Sequence, residues 1–247
     1  MTEAIPITSL LKERMGHILL YYKNDKNAIL LAGDWRGILN QKGELMQPRL
    51  LIHQKITAFA NKYVVYDATP GGGVGQVTAF AQQKRFAFKE KVNVYTDEQK
   101  SVVSFTFRAE KVFDVYGRYL IEDAEGRLLG MLRKEFKKSL LVSSWVMMDA
   151  DGTDRFVVKE SNAVLAVLRR FIGFVPLLGD ILEIAIKFFK YHFTFIDVAT
   201  GQQVGKYTKT TLFRDRYSIS LTDAAWSSQD KRVYIAMGVA LDALQSR

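Results

Sequence analysis

Residues 233–244 read Val233-Tyr-Ile-Ala-Met-Gly-Val-Ala-Leu-Asp-Ala-Leu244, a run with helical length and almost no polar face. Ser228 or Asp230 stands where a capping side chain would start such a helix. A helix that is apolar all round has to be enclosed all round, by lipid or by other parts of the chain. This one is too short for lipid, since a spanning helix takes roughly 20 residues. The remainder of the sequence must therefore supply a wall around it, and Gly238 and Ala240 mark where that wall can come close.

The wall is legible upstream. One short pattern recurs: an aromatic or branched residue, alternating apolar residues, a polar residue (usually Asp) at the fourth or fifth position, then a turn and a second alternating run. The copies are Tyr63-Val-Val-Tyr-Asp67, Val92-Asn-Val-Tyr-Thr96, Tyr119-Leu-Ile-Glu-Asp123, Trp145-Val-Met-Met-Asp149, Phe193-Thr-Phe-Ile-Asp197 and a degenerate Tyr217-Ser-Ile-Ser-Leu221. They start 29, 27, 26, 48 and 24 residues apart, so each has room for one β-hairpin and the single long gap marks an insertion. Pro70-Gly-Gly-Gly, Asp97-Glu-Gln, Ala124-Glu-Gly126, Asp151-Gly152 and Thr200-Gly201 carry the turn chemistry, because Gly tolerates positive φ and Asp bonds back to its own turn. Strands that need something apolar inside and a helix that needs a wall give one solution. That solution is a mainly β (α+β) fold: a closed antiparallel β-barrel of about twelve strands around a central apolar C-terminal helix.

Ahead of the barrel, Leu11, Met15, Ile18, Leu19 and Tyr22 fall at helical intervals, which predicts an N-terminal helix over residues 8–22. Ile29–Leu31 and Ile38-Leu39 flank Gly33-Asp-Trp-Arg-Gly37 as a short hairpin or loop. The domain reading is thus an extension over 1–48 and a barrel over 49–247. The insertion, residues 161–190, reads as a helical hairpin broken around Pro176. Its first helix sets Arg169 and Arg170 beside Phe171, with Phe174 at the break. Its second places Lys187 and Lys190 beside Phe188 and Phe189. Basic residues next to aromatics suit an anionic lipid interface; the competing account is that the hairpin packs on the barrel or makes a protein or homo-oligomer contact. Arg133 and Lys134 with Lys137 and Lys138, and Lys84 and Arg85 with Lys89 and Lys91, form two further basic clusters, suited to lipid headgroups or to a solvated strand edge where Lys discourages pairing.

The excluded chemistry is broad. The 247 residues contain no cysteine, which removes disulfides, thiolate nucleophiles, Cys-ligated zinc and palmitoyl anchors. His17, His53 and His192 are isolated, and no metal or cofactor constellation is present. Gly71-Gly-Gly-Val-Gly75 lacks the Gly-Lys-Ser/Thr ending of a phosphate loop and reads as a hairpin turn. Asp67, Asp123, Asp149 and Asp197 each close a strand before a turn, where Asp caps the bend, so they are structural and not paired catalytic carboxylates. Arg214-Asp-Arg216 reads as a salt-bridged strand end. A formal charge of +9 suits an anionic partner. The N-terminus has no signal-peptide pattern and no segment is long and apolar enough to span, which predicts a cytoplasmic protein, soluble or peripheral to a membrane.

The leading Leu51-Ile-His-Gln-Lys55 before Tyr63–Asp67, the region from Phe113-Asp-Val-Tyr-Gly117 to Trp145, and Leu212-Phe-Arg-Asp-Arg-Tyr217 running into the apolar helix together resemble the tubby-like superfamily. The likeness is strongest to its LURP-one-related and phospholipid-scramblase-like branch, over about residues 49–247. The resemblance implies a twelve-stranded barrel around a C-terminal helix, and roles in phosphoinositide binding, lipid scrambling or none known. It departs from scramblase-like relatives in lacking their cysteine-rich segment and in carrying one acid only in Leu221-Thr-Asp-Ala-Ala-Trp226, where their calcium-binding stretch lies. The expectation is a non-enzymatic barrel with no cofactor and no catalytic residues, which binds anionic phospholipid or a membrane surface, with nucleic acid ranked well below. The alternatives are a small-ligand binder or enzyme with a pocket at a barrel mouth, and a protein-interaction module.

Overall fold

The structure, a computed structural model, describes residues 18–24, 27–33, 39–56, 60–84, 91–110, 117–135, 144–161, 192–211 and 215–245. The chain divides into two compact units, residues 1–45 and 46–247. In the first, β1 (Ile18–Asn24) and β2 (Asn27–Gly33) form an antiparallel hairpin in which Ile18 faces Gly33 and Asn24 faces Asn27. A bridge then joins Leu39 to Leu45 across a turn whose Asn40 Oδ1 accepts the N–H groups of Lys42 and Glu44. Residues 18–22, which helical spacing assigns to an N-terminal helix, are therefore strand. The continuous run Ile18-Leu-Leu-Tyr-Tyr22 is branched and aromatic, a composition that favours a pleated surface, and β2 supplies every residue of it with a partner. The innermost pair of this hairpin, Asn24 and Asn27, also lies ahead of the Gly33–Gly37 stretch. The remainder of the expected helix, residues 8–17, lies outside the described residues, as does the inserted segment 162–191.

The second unit contains twelve strands: β3 (Gln47–Ile56), β4 (Ala60–Ala68), β5 (Val74–Lys84), β6 (Val92–Tyr95), β7 (Val103–Ala109), β8 (Arg118–Asp123), β9 (Leu128–Glu135), β10 (Ser144–Asp149), β11 (Asp154–Glu160), β12 (His192–Asp197), β13 (Gln203–Lys209) and β14 (Arg216–Leu221). Consecutive strands pair antiparallel throughout, and β14 pairs with β3 to close the barrel. The six copies of the repeated pattern are the even-numbered strands β4 to β14. Five open a hairpin with the strand that follows, and the degenerate sixth is the strand that closes the ring.

Strand periodicity decides which residues face in. The first and third positions of the copies, Tyr63 and Val65, Val92 and Val94, Trp145 and Met147, Phe193 and Phe195, Tyr217 and Ile219, all belong to one buried cluster. An eight-stranded barrel can fill its interior with its own side chains, but a wider ring leaves a central space. Here the space is taken by the C-terminal segment. Helix α1 (Asp223–Ser227) is capped by Thr222, whose hydroxyl accepts from Ala225 N–H, and α2 (Lys231–Gln245) is capped by Asp230, whose carboxylate accepts from Arg232 N–H at 2.8 Å.

Helix α2 touches wall on several sides. Val233 approaches Gly130 of β9 so closely that a Cβ there would sit 3.0 Å from it. Tyr234 packs its ring against Phe156 of β11 (6.1 Å), Phe195 of β12 (6.4 Å) and Trp226 of α1 (5.5 Å). Val233 to Leu241 are all buried, and each large side chain so enclosed contributes about 1.5–3 kcal/mol before entropy is subtracted.

The tight turns gather at one mouth, and the recurrent aspartates do two jobs there. Asp123 Oδ1 accepts from the N–H of Glu125 and Arg127, and Asp197 Oδ1 from that of Thr200, so these two cap their bends. Asp67 and Asp149 do not: the first pairs with Lys231 and the second accepts from Gln229 Nε2 at 2.8 Å. Their turns use Thr69 and Asp151 instead. Capping was the wrong duty for these two because the start of α2 competes for their carboxylates. The Gly71–Gly75 stretch is the β4–β5 turn, as its composition indicated.

A Cβ on Gly238 would lie 2.3 Å from Ile52 Cδ1 and 3.0 Å from Ile219 Cδ1. Gly238→Leu should therefore lower stability by roughly 1–3 kcal/mol in urea melts, despite the gain in helix propensity. An unchanged midpoint would mean that the helix is not enclosed at this position.

Candidate functional site

The opposite mouth of the barrel holds a polar group built from five elements around buried tyrosines. Tyr63 of β4 and Tyr217 of β14 are inward by strand alternation, and both reach one carboxyl, Asp242 on the last turns of α2. Tyr63 Oη donates to Asp242 Oδ2 at 2.9 Å, and Tyr217 Oη donates to Oδ1. Gln54 Nε2 donates to Tyr63 Oη at 3.3 Å. One turn earlier Tyr207 of β13 donates to the carbonyl of Gly238 at 3.2 Å, with its ring stacked on Tyr217 at 5.0 Å. Lys209 and Asp215 pair at 2.6 Å beside them.

Burial, then the charge of Asp242, pushes the hydroxyls of Tyr63 and Tyr217 well above the ordinary phenol value. Burial likewise raises the Asp242 carboxyl, opposed by the hydrogen bonds from Tyr217 and Tyr63. These groups are acceptors and donors already engaged with one another. None is a nucleophile beside a base, and what the cluster does chemically is to hold the end of α2 against β4 and β14. Among the described residues no group of three His, Asp or Glu side chains is placed to hold a metal.

The lipid candidates separate on the strand pleat. Arg133 points outward from β9, bonds Asp154 at 2.8 Å and touches Met148 Sδ. Lys134 points inward, its ammonium 5.6 Å from the ring centre of Trp145. The two adjacent cations therefore lie on opposite faces of the wall and do not form one patch. Lys137, Lys138, Arg169, Arg170, Phe171, Phe174, Lys187, Phe188, Phe189 and Lys190 lie outside the described residues. Of the cluster around Lys84 only the side chain of Lys91 is described, and it is exposed at the start of β6. His53 is outward on β3 with its ring 4.8 Å from that of Tyr66.

Asp242 and its tyrosines were missed as a group. The available signal was the lone acid in an otherwise apolar helix, since a carboxyl in such a position needs donors from the wall.

Asp242 titrates with a defined sign. Burial holds its folded value above the ordinary 3.8 of an aspartate, so the folded chain holds the proton more tightly and its contribution to stability falls as pH rises from about 3.8 through the raised value. The stability of wild type minus that of Asp242→Asn should fall across that window in urea titrations at several pH values. A difference that rises with pH would place the carboxyl in a different environment. Asp242→Ala, which strands two buried hydroxyls, should cost about 1–3 kcal/mol.

A family model described as LURP-one-related matches residues 77–242, two thirds of the chain, from within β5 to within α2. No curated protein and no solved structure matches.

Proposed function

This chain belongs to the LURP-one-related family, and on that footing we propose that it is a non-enzymatic barrel domain that binds an anionic phospholipid surface. The observation that carries the reading is the occupied lumen. Barrels that bind small molecules do so in the space their strands enclose, and here α2 fills that space with its own side chains, so recognition falls to the outer wall. The charge of +9 then selects an anionic partner.

Peripheral attachment fits the wall better than insertion. Lys62, Arg108, Arg133 and Lys206 point outward from within their strands, whereas a spanning barrel needs an outward apolar band. No helix among the described residues is long and apolar enough to cross a membrane. The polar cluster at the tyrosine mouth is engaged with itself, which favours a binding domain over a catalyst.

Cosedimentation with phosphatidylcholine vesicles, with and without phosphatidylserine, tests the reading. Binding is expected only with the anionic lipid, and should weaken strongly from about 0.1 M to about 1 M salt, as the screening length shortens from ~10 Å to ~3 Å. Equal binding to neutral vesicles, or none to anionic ones at low salt, would contradict it.

A further inference from the structure

The outer wall of the barrel is charged in two different ways. Around β7 to β11 each outward arginine meets an acid: Arg108 grips Glu122 through two bonds of 3.0 and 2.8 Å, Arg118 meets Glu110 at 2.8 Å, and Arg133 meets Asp154 at 2.8 Å. Around β11, β13, β14, β3 and β4 the pattern changes. Lys159, Lys206, Arg216, Lys55 and Lys62 all point outward, because their strand neighbours Val158, Tyr207, Tyr217, Gln54 and Tyr63 point in. Their cross-strand neighbours are hydroxyls, amides or other bases.

Lys159 and Lys206 flank Thr194, and Lys206 faces Ser220. Arg216 faces His53, and Lys55 faces Lys62 directly. Among the described residues the acid paired with one of these five cations is Glu98, 3.9 Å from Lys55, while Asp154 at the start of β11 and Asp223 beside β3 are taken by Arg133 and Arg49. Asp215, the neighbour of Arg216, turns inward to Lys209. Arg216 and Lys62 have no ion pair among the described residues. Ser218 and Val64 on the same face are buried, and the cations stand around them.

Two lysines directly opposite one another on paired strands repel and lower stability. His53 reports the same field: burial first, then Arg216 and Lys55, holds its imidazole below the usual 6.5. An arrangement that costs stability, on a wall whose other side neutralises its cations one by one, is what a site for an external anion looks like before the anion arrives.

We infer that the outward face of β11 to β14, β3 and β4, centred on Arg216, His53, Lys55 and Lys62, is the docking surface for the phosphate headgroups of an anionic bilayer. This rests on the function proposed above and gives it a place. From Lys159 to Lys62 the cations spread over five strand spacings of about 4.8 Å each, roughly 24 Å of convex wall. Five of the twelve spacings wrap well over a third of the ring, so a plane meets the central cations on β14, β3 and β4, which touch several headgroups together, while Lys159 and Lys206 lie farther round the wall. Among the described residues this surface shows no exposed row of aromatics on which bases could stack, which favours the bilayer over nucleic acid.

The test compares four proteins on phosphatidylcholine vesicles containing phosphatidylserine: wild type, K62Q/R216Q, the charge-retaining K62R/R216K, and a matched control K91Q/K100Q that removes the same charge from exposed lysines elsewhere. K62Q/R216Q should bind at least roughly tenfold more weakly than wild type, with K62R/R216K and K91Q/K100Q both close to wild type. Its thermal midpoint should be equal to or above that of wild type, because a repulsion has been relieved, so lost binding cannot be assigned to misfolding. Wild-type binding with K62Q/R216Q unimpaired, or K91Q/K100Q impaired as much, would overturn this surface while leaving a lipid-binding barrel in place. A wild type that binds a short DNA duplex and no vesicle would overturn both.

Discussion

Enclosure of α2 by the twelve-stranded wall is the interaction on which the remaining structure depends. Neither partner is viable alone. The helix has no polar face to show to water, and the inward residues of the strands converge on a space too wide for them to fill. Their mutual burial explains the positions of small residues better than any local rule does. Gly238 sits where Ile52 and Ile219 press on the helix, and Gly130 where Val233 presses on the wall. The same dependence makes the fold strongly non-local. The helix closes against strands up to 179 residues away in the case of Tyr63 and Asp242, and the ring closes between β3 and β14, a topology that predicts slow folding.

The helix is tethered at its two ends by different chemistry. At its start, Lys231 pairs with Asp67, Gln229 reaches Asp149, and Arg232 bonds Asp230 and the carbonyl of Ser104. These contacts are partly exposed, and such pairs contribute little, about 0–1 kcal/mol each. At its end, the hydroxyls of two buried tyrosines converge on a half-buried carboxyl, and leaving those hydroxyls unbonded is expensive. The first set fixes direction and register, and the second fixes depth. The α2 side chains are buried in the core cluster that the inward strand residues form, and on the outer wall charge is unevenly distributed between β7–β11 and the strands from β11 round to β4.

Much of this was legible because it rests on periodicity. The alternating copies from Tyr63 to Tyr217 named the even-numbered strands, and the apolar run from Val233 named the filling. Helix-start chemistry offered Ser228 or Asp230 as the cap, and Asp230 takes that place. What escaped was whatever needs a partner from elsewhere. Ile18–Tyr22 suits a helix or a strand equally until β2 is beside it. Asp67 and Asp149 look like Asp123 and Asp197 until the start of α2 approaches. Arg133 and Lys134 look like one cluster until the pleat divides them, and Lys55 and Lys62 look unrelated until a hairpin sets them face to face. Lys62 and Arg216 in particular acquire their meaning only from barrel closure, which joins β14 to β3 and so brings residues far apart in the chain onto one surface.

Native-state hydrogen exchange on the amides of residues 233–243 tests the central claim most directly. If the helix fills the barrel, those amides can exchange only when the wall opens, and their exchange free energies will equal the global unfolding free energy from urea and match those of Val65, Met147 and Phe195. If the helix amides exchange through a lower-energy opening while the strand amides keep full protection, the segment lies on the outside and the account fails.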